Sequence, residues 1–87
     1  MKEPMIIDDV TSLGKLLRTA RKEQGLTQQE FADIAGVGVR FLSDLERGKE
    51  TAEVGLVLQV LHDAGYELLL QRRHQSAGWT LSTGEME

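Results

Sequence analysis

The sequence predicts a small all-α domain of four to five short helices, followed by one C-terminal β-strand. Apolar residues recur at helical spacing in four segments, and each segment ends at a glycine that can adopt the left-handed conformation of a helix end. These glycines are Gly25, Gly36, Gly48 and Gly65. After the last glycine the period changes, because residues 66–72 form a short apolar run that is typical of a strand.

Length and composition favour one domain and exclude several protein classes. A chain of 87 residues buries only about two thirds of its unfolded surface, so there is no room for a separate catalytic domain. The chain has no cysteine, which excludes disulfides and thiolate metal sites. Because no segment resembles a membrane span or a signal peptide, we expect a cytoplasmic protein. No acid, base and nucleophile converge, so we expect neither catalytic residues nor a cofactor.

The charge distribution is uneven along the chain. The net charge of −4 argues against a nucleic-acid ligand when it is read over the whole chain. Between residues 11 and 49, however, seven basic residues stand against five acidic ones, which gives a local charge of +2. A weakly basic middle is therefore flanked by acidic ends, and this pattern predicts modest, salt-sensitive affinity for DNA.

The first two helices are predicted from their caps and apolar stripes. The first helix begins near Thr11 or Ser12 and ends at Gly25. Its predicted buried stripe is Leu13, Leu16, Leu17 and Ala20. The second helix opens with a capping box, in which Thr27 and Glu30 satisfy each other's backbone donors. Its predicted core residues are Phe31, Ala32, Ile34 and Ala35.

The third and fourth helices follow after short connections. A turn of very few residues after Gly36 forces the second and third helices to cross at a steep angle. The third helix is predicted from about Gly38 to Arg47, with Phe41, Leu42 and Leu45 facing inward. The fourth is predicted to begin at Thr51 as its N-cap and to end at Gly65. Its predicted stripe is Val54, Val57, Leu58 and Leu61.

The segments outside the helices have separate predicted roles. A single strand has no partner within a helical chain, so we expect a second copy of the chain to pair with it. The predicted dimerisation residues are Tyr66, Leu68, Leu69 and Leu70. The expected organisation is an N-terminal arm over 1–10, a helical domain over 11–65, the strand over 66–73 and a flexible tail over 74–87. Trp79 in that tail either enters a partner's pocket or folds back onto the dimer.

Three motifs give the sequence a family resemblance. They are QGLTQQEFA at 24–32, AGV at 35–37 and LSDLERGK at 42–49. This pattern closely resembles the Xre-type helix-turn-helix of phage repressors, which have the lambda-repressor-like fold. From Leu13 to Arg72, including the connection from Gly48 to Glu53, the chain is similar to HipB-type antitoxins.

The resemblance implies a homodimer that represses its own operon as part of a toxin-antitoxin system. It further implies that the C-terminal strands pair between subunits and that the protein binds a HipA-type serine/threonine kinase toxin. It also implies that Arg21 forms a partly buried salt bridge with Glu46 and ties the first helix to the third. We therefore expect Arg21 to be chiefly structural.

The helix pair predicts which residues contact double-stranded operator DNA. The second helix of such a pair enters the major groove while the first lies across the backbone. The predicted DNA contacts are Thr27, Gln28, Gly38, Val39, Arg40, Ser43, Asp44, Arg47 and Lys49. Gln28 is the expected phosphate contact at a helix N-terminus, the alternative being an ordinary exposed glutamine.

The resemblance assigns base reading to the start of the third helix, where this chain departs from the usual pattern. Gly38 and Val39 stand where Ser, Thr or Gln is common, so Val39 is left to touch a thymine methyl and Arg40 to bind guanine. Asp44 either accepts from a cytosine amino group or sits at the edge of the groove. Arg47 and Lys49 contact the DNA backbone, unless Arg47 only complements the helix C-terminus.

Two other readings of the chain stay open at this point. One is a stand-alone Xre-type repressor without a toxin partner, because nothing inside the domain encodes toxin binding. The other is a protein-interaction module that has lost DNA binding, which the acidic balance and the Gly38-Val39 pair permit. We expect no metal site, because His62 and His74 lack further ligands at a suitable spacing.

Overall fold

The structure, a computed structural model, describes residues 5–73 and contains four α-helices in that range. In chain order these are α1 (Val10–Glu23), α2 (Gln28–Ala35), α3 (Val39–Glu46) and α4 (Val54–Asp63). The prediction of an all-α bundle is confirmed, and the four predicted helix-ending glycines have φ values between 74° and 90°. None of these helices is long and apolar enough to cross a membrane.

Helix α1 begins one residue before the predicted start near Thr11 or Ser12. Asp9 is its N-cap, and the Ser12 backbone N–H donates to Asp9 Oδ1 over 2.8 Å. This backbone hydrogen bond lowers the pKa of Asp9 below its ordinary value. An aspartate caps a helix at least as well as threonine does, which explains why the start falls at Val10.

The turn between α2 and α3 is as short as the sequence predicts. At the start of α2, Thr27 N donates to Glu30 Oε1 over 2.8 Å and Glu30 N to Thr27 Oγ1 over 3.1 Å, which confirms the capping box. Gly36 ends α2 at a φ of 74°, so only Gly36, Val37 and Gly38 separate the two helices. From α4, Gln59 Nε2 donates to the Ala35 carbonyl over 2.6 Å and holds this turn in place.

The core lies where the four helices meet. Its buried apolar residues are Leu17, Ala20, Phe31, Ala32, Ala35, Leu42, Leu45, Val60, Leu61 and Ala64. Helices α1 and α3 approach each other closely at Gly14, where an added Cβ would lie 2.5 Å from the Leu45 carbonyl oxygen and 2.6 Å from that of Glu46. Because backbone atoms cannot move aside easily, only glycine fits at this crossing.

Several predicted core positions of α2 and α4 are wrong. Ile34 is 60% exposed, because at its position on α2 it points away from the other helices. In α4 the exposed fraction of Val54 is 68% and Leu58 is also exposed, whereas Val60 and Ala64 are buried. The observed stripe is Val57, Val60 and Leu61 of α4, continued by Ala64 at the C-cap. It has the spacing of the predicted stripe and lies three residues further on, so periodicity alone could not choose between the two.

The N-cap predicted for α4 is also wrong. Glu53 is the N-cap and makes no side-chain hydrogen bond there, while Thr51 belongs to the preceding turn. The first turn of α4 instead uses the backbone carbonyl of Glu53, which accepts from the N–H groups of Leu56 and Val57 over 3.1 Å each. Thr51 therefore lies in the connection between α3 and α4 and not at the start of α4.

The segment after α4 contains no β-strand within the residues that the structure describes. Tyr66 packs against the core, and its backbone N–H donates to the Leu61 carbonyl over 2.9 Å. Leu68, Leu69 and Leu70 are exposed, Leu70 by 93%. A strand that pairs with a second chain would have no ladder in a single chain, so its formation stays a prediction. The predicted flexible tail over 74–87, with His74 and Trp79, lies outside the described residues.

Candidate nucleic-acid interface

Helix α3 presents one face to the core and the other to the surface. Leu42, Leu45 and Glu46 are buried, whereas Val39, Arg40 and Arg47 are exposed. The short turn that follows α2 fixes the direction of α3, and the backbone contact with α1 at Gly14 fixes its depth. The outer face of α3 is therefore held on a rigid support, as a helix that enters a DNA groove requires.

A buried polar network joins the first three helices. Arg21 Nε donates to Glu46 Oε2 over 2.7 Å and Arg21 Nη2 to Glu46 Oε1 over 2.9 Å, which is the pair that the resemblance implies. Arg21 Nη1 also donates to the Leu26 carbonyl over 2.9 Å. Gln28 Nε2 completes the network by donating to Glu46 Oε1 over 3.0 Å. The first turn of α2 is therefore tied to the end of α3.

The network sets the protonation state of its acid. Burial raises the pKa of the Glu46 carboxyl, but the hydrogen bonds from Arg21 and Gln28 outweigh burial, and the pKa lies below its ordinary value. The hydrogen bond between Arg21 and Glu46 also raises the pKa of Arg21. Both groups are therefore charged at neutral pH, and the pair is an ion pair with two parallel hydrogen bonds.

The N-terminal end of α3 is open. Gly38 is its N-cap, makes no side-chain hydrogen bond, and has no heavy atom within 4 Å of the position that a Cβ would occupy. Val39 is exposed, and the Arg40 side chain is 88% exposed. The predicted base-reading positions thus lie at the surface, with space around them for a ligand.

The C-terminal end of α3 carries a charge cluster, which we call the Asp44 cluster: Asp44 with Arg40, Arg47 and Lys49. Arg47 Nη2 donates to Asp44 Oδ1, and Arg47 Nη1 donates to Ser43 Oγ over 2.7 Å. On the other side of the carboxylate, Asp44 Oδ2 lies 3.7 Å from Arg40 Nε and 3.6 Å from Lys49 Nζ. With Gly48, these four residues line an open pocket.

Sequence reasoning missed three parts of this surface. It did not foresee that Gln28 donates inward to Glu46, that Asp44 is shared by three cations, or that Gly14 sets the depth of α3. The spacings of Asp44 from Arg40 and Arg47, four and three residues, are those at which helix side chains meet. They were the available signal for the cluster. The remaining predicted residue, Thr27, is engaged in its capping box.

The two helices joined by a three-residue turn and the exposed outer face of α3 define a helix-turn-helix domain of the Xre type. The chain belongs to the helix-turn-helix family (HTH_3), which matches residues 17–65. The HTH-type transcriptional regulator y4mF of Sinorhizobium fredii is 58% identical to it over 53 residues, which cover 61% of this chain and 70% of y4mF. The transcriptional regulator ClgR of Mycobacterium tuberculosis is 38% identical over 72 residues, covering 70% of this chain and 64% of ClgR.

Solved structures agree with this assignment. The clp gene regulator ClgR from C. glutamicum has a TM-score of 0.61 at 33% identity, covering 77% of this chain and 85% of its own. HipB in a HipB-O4 20mer complex has a TM-score of 0.72 at 20% identity, covering 82% of this chain and all of its own. The second similarity shows a shared fold and confirms the HipB-like architecture. The family match and the relatives y4mF and ClgR show that the chain is a helix-turn-helix transcriptional regulator and not an enzyme.

Proposed function

We propose that the chain is a transcriptional repressor that binds a short symmetric DNA operator as a homodimer. The observation that supports this is the outer face of α3, which combines an open N-terminal end with a cationic C-terminal end. Arg40 is available to bind a guanine edge, and Arg47 and Lys49 to contact phosphates. The buried network ties the start of α2 to the end of α3, which supports a fixed presentation of this face.

The C-terminal segment supports the proposed dimer. Leu68, Leu69 and Leu70 are exposed in one chain, and pairing with the same segment of a second copy would cover them and satisfy their backbone groups. A dimer of this type places its two recognition helices about 34 Å apart, one turn of DNA. Aspartate in place of both Leu68 and Leu70 should give monomers in analytical ultracentrifugation. If the doubly substituted protein is still a dimer, the interface lies elsewhere on the chain.

Binding to DNA from upstream of the chain's own gene tests the repressor function. Fluorescence anisotropy should show specific binding that weakens steeply with salt, and Arg40→Ala should lose about 1–3 kcal/mol of discrimination between the operator and a scrambled duplex. Lys22→Ala is the matched control, because it removes one positive charge from the exposed end of α1. Absence of binding by the unchanged protein at low salt would favour the protein-interaction module.

An antitoxin role is the second candidate function. It is favoured by the similarity to HipB in a HipA-HipB-O2-O3 complex, where HipB has a TM-score of 0.73 at 20% identity and covers 82% of this chain. We propose that the chain binds and neutralises a HipA-type kinase encoded beside it. Co-expression with the product of a neighbouring kinase gene should give a stable complex and restore growth. The absence of such a gene would favour a stand-alone repressor.

A further inference from the structure

The Asp44 cluster places an acid at a position where simple electrostatics disfavours it. Asp44 lies in the last turn of α3, where the helix dipole favours cations and disfavours carboxylates. It also lies on the surface that we propose to face DNA phosphates. Its side chain is only 16% exposed, whereas the three cations around it are largely exposed. The carboxylate is thus the least exposed member of its own cluster.

The contacts of the carboxylate leave little capacity for a base. Asp44 Oδ1 accepts from Arg47 Nη2, and Asp44 Oδ2 lies between Arg40 Nε and Lys49 Nζ. Both oxygens therefore have cationic neighbours in the free protein. A cytosine amino group would have to displace one of them, so of the two roles expected for Asp44, base acceptance fits these contacts poorly.

The cations, in contrast, keep donors for a ligand. The Arg47 guanidinium has five N–H donors, and the described residues show one hydrogen bond from Nη1 to Ser43 and one from Nη2 to Asp44. These two contacts fix the plane of the guanidinium and leave its other N–H groups pointing elsewhere. Two backbone hydrogen bonds to the Asp44 carbonyl, from Arg47 over 3.1 Å and from Lys49 over 3.0 Å, hold the same stretch of chain in place.

We infer that Asp44 is a positioning residue, which gathers Arg40, Arg47 and Lys49 into one cluster of net charge +2. In this cluster Arg47 and Lys49 bind backbone phosphates of DNA, and Arg40 is held in place for the base edge that it binds. This inference rests on the proposed function and adds a role that charge alone does not predict. Asp44 contributes by ordering the cations before DNA arrives, so that fewer side-chain conformations are lost on binding. It does not touch DNA itself.

The inference and plain charge repulsion predict opposite effects of one substitution. Asp44→Asn keeps the shape of the side chain and removes one negative charge. If Asp44 only repels phosphate, the variant binds all DNA more tightly. If Asp44 positions the cations, the variant binds the operator about tenfold more weakly, because side chains that are no longer ordered in the free protein must be ordered on binding. The salt dependence also becomes shallower, since each lost phosphate contact reduces the slope by about 0.9.

The experiment measures anisotropy of the operator fragment and of a scrambled duplex of equal length, each at several salt concentrations. The matched control is Asp63→Asn, which removes one exposed acid from the end of α4. It should leave the operator affinity within about twofold of the unchanged protein. Thermal unfolding checks that both variants are folded.

A double substitution separates positioning from a general loss of structure. Arg47 is one of the three cations that Asp44 positions, so Asp44→Asn should weaken operator binding by a smaller factor when Arg47→Ala is already present. If the two effects instead add fully, Asp44 does not act through Arg47 and the inference is overturned.

The outcomes distinguish the inference from the proposed function. Operator binding that is unchanged or tighter in Asp44→Asn, with a slope that is unchanged or steeper, overturns the positioning role and leaves the repressor intact. Equal binding of operator and scrambled duplex by the unchanged protein overturns sequence-specific repression. In that case a shallower salt slope of Asp44→Asn on the scrambled duplex still supports the positioning role. No binding to either duplex overturns both.

Discussion

Glu46 and Asp44 are two carboxylates on the same helix, two residues apart, and each accepts hydrogen bonds from an arginine. Their surroundings differ. The Glu46 side chain is 3% exposed and faces Arg21 across the α1–α3 contact, whereas Asp44 is 16% exposed and its cations reach into solvent. An ion pair in a dry contact is costly to break, while an exposed one contributes little to stability. The same chemistry therefore serves folding at one position and, we propose, DNA binding at the other.

Breaking the buried pair of Arg21 and Glu46, the inner pair, should have the largest effect on stability. Glu46→Ala leaves the Arg21 guanidinium buried without its partner and removes the acceptor of Gln28, so we expect a loss of about 3–5 kcal/mol in the free energy of unfolding. Urea denaturation followed by circular dichroism measures it. Normal stability together with changed base preference would show that Glu46 belongs to the outer, DNA-facing set.

The position of Glu46 depends on the backbone contact beside it, so Gly14 offers a second way to disturb the inner pair. Gly14→Ala would place a methyl group against the carbonyls of Leu45 and Glu46. The two helices must separate, at a cost of about 1–3 kcal/mol. Gly55→Ala is the control, because nothing lies closer than 3.7 Å to its added Cβ. Equal stability of the two variants would contradict the close α1–α3 crossing.

Acid should weaken the buried pair of Arg21 and Glu46. The pKa of Glu46 is lower in the folded chain than its ordinary value of about 4.5, so its contribution to stability is present above that pH. The contribution is lost as the pH falls through the lower value of the folded state. Glu46→Gln should therefore flatten the fall in unfolding free energy below about pH 4.5. If the unfolding free energy falls equally steeply with pH in the variant and in the unchanged protein, other groups cause the acid sensitivity.

The same contrast explains what the sequence could predict. Caps, glycine stops and the family motif are local signals, and they led to four helices and to the capping box of Thr27 and Glu30. The stripe of α4 was misplaced by three residues because two stripes of equal spacing overlap there, and only packing against α2 selects Val60 and Ala64. The approach at Gly14 and the inward bond of Gln28 depend on where α3 lies in space. No local pattern contains that information.

Disrupting the Asp44 cluster should have the smallest effect on stability. Asp44→Ala removes three ion pairs, yet their cations are well solvated and screened by salt, so we expect a loss of at most about 1 kcal/mol in the free energy of unfolding. The measurement is the midpoint of urea unfolding at low and high salt. Ser43→Ala is the control, because it changes no charge and removes only the other hydrogen-bond acceptor of Arg47. A loss as large as that of Glu46→Ala would mean that Asp44 stabilises the fold. A small loss, combined with weaker operator binding, would place its role in recognition, because the ion pairs would then serve to order the side chains that bind DNA and not to stabilise the fold.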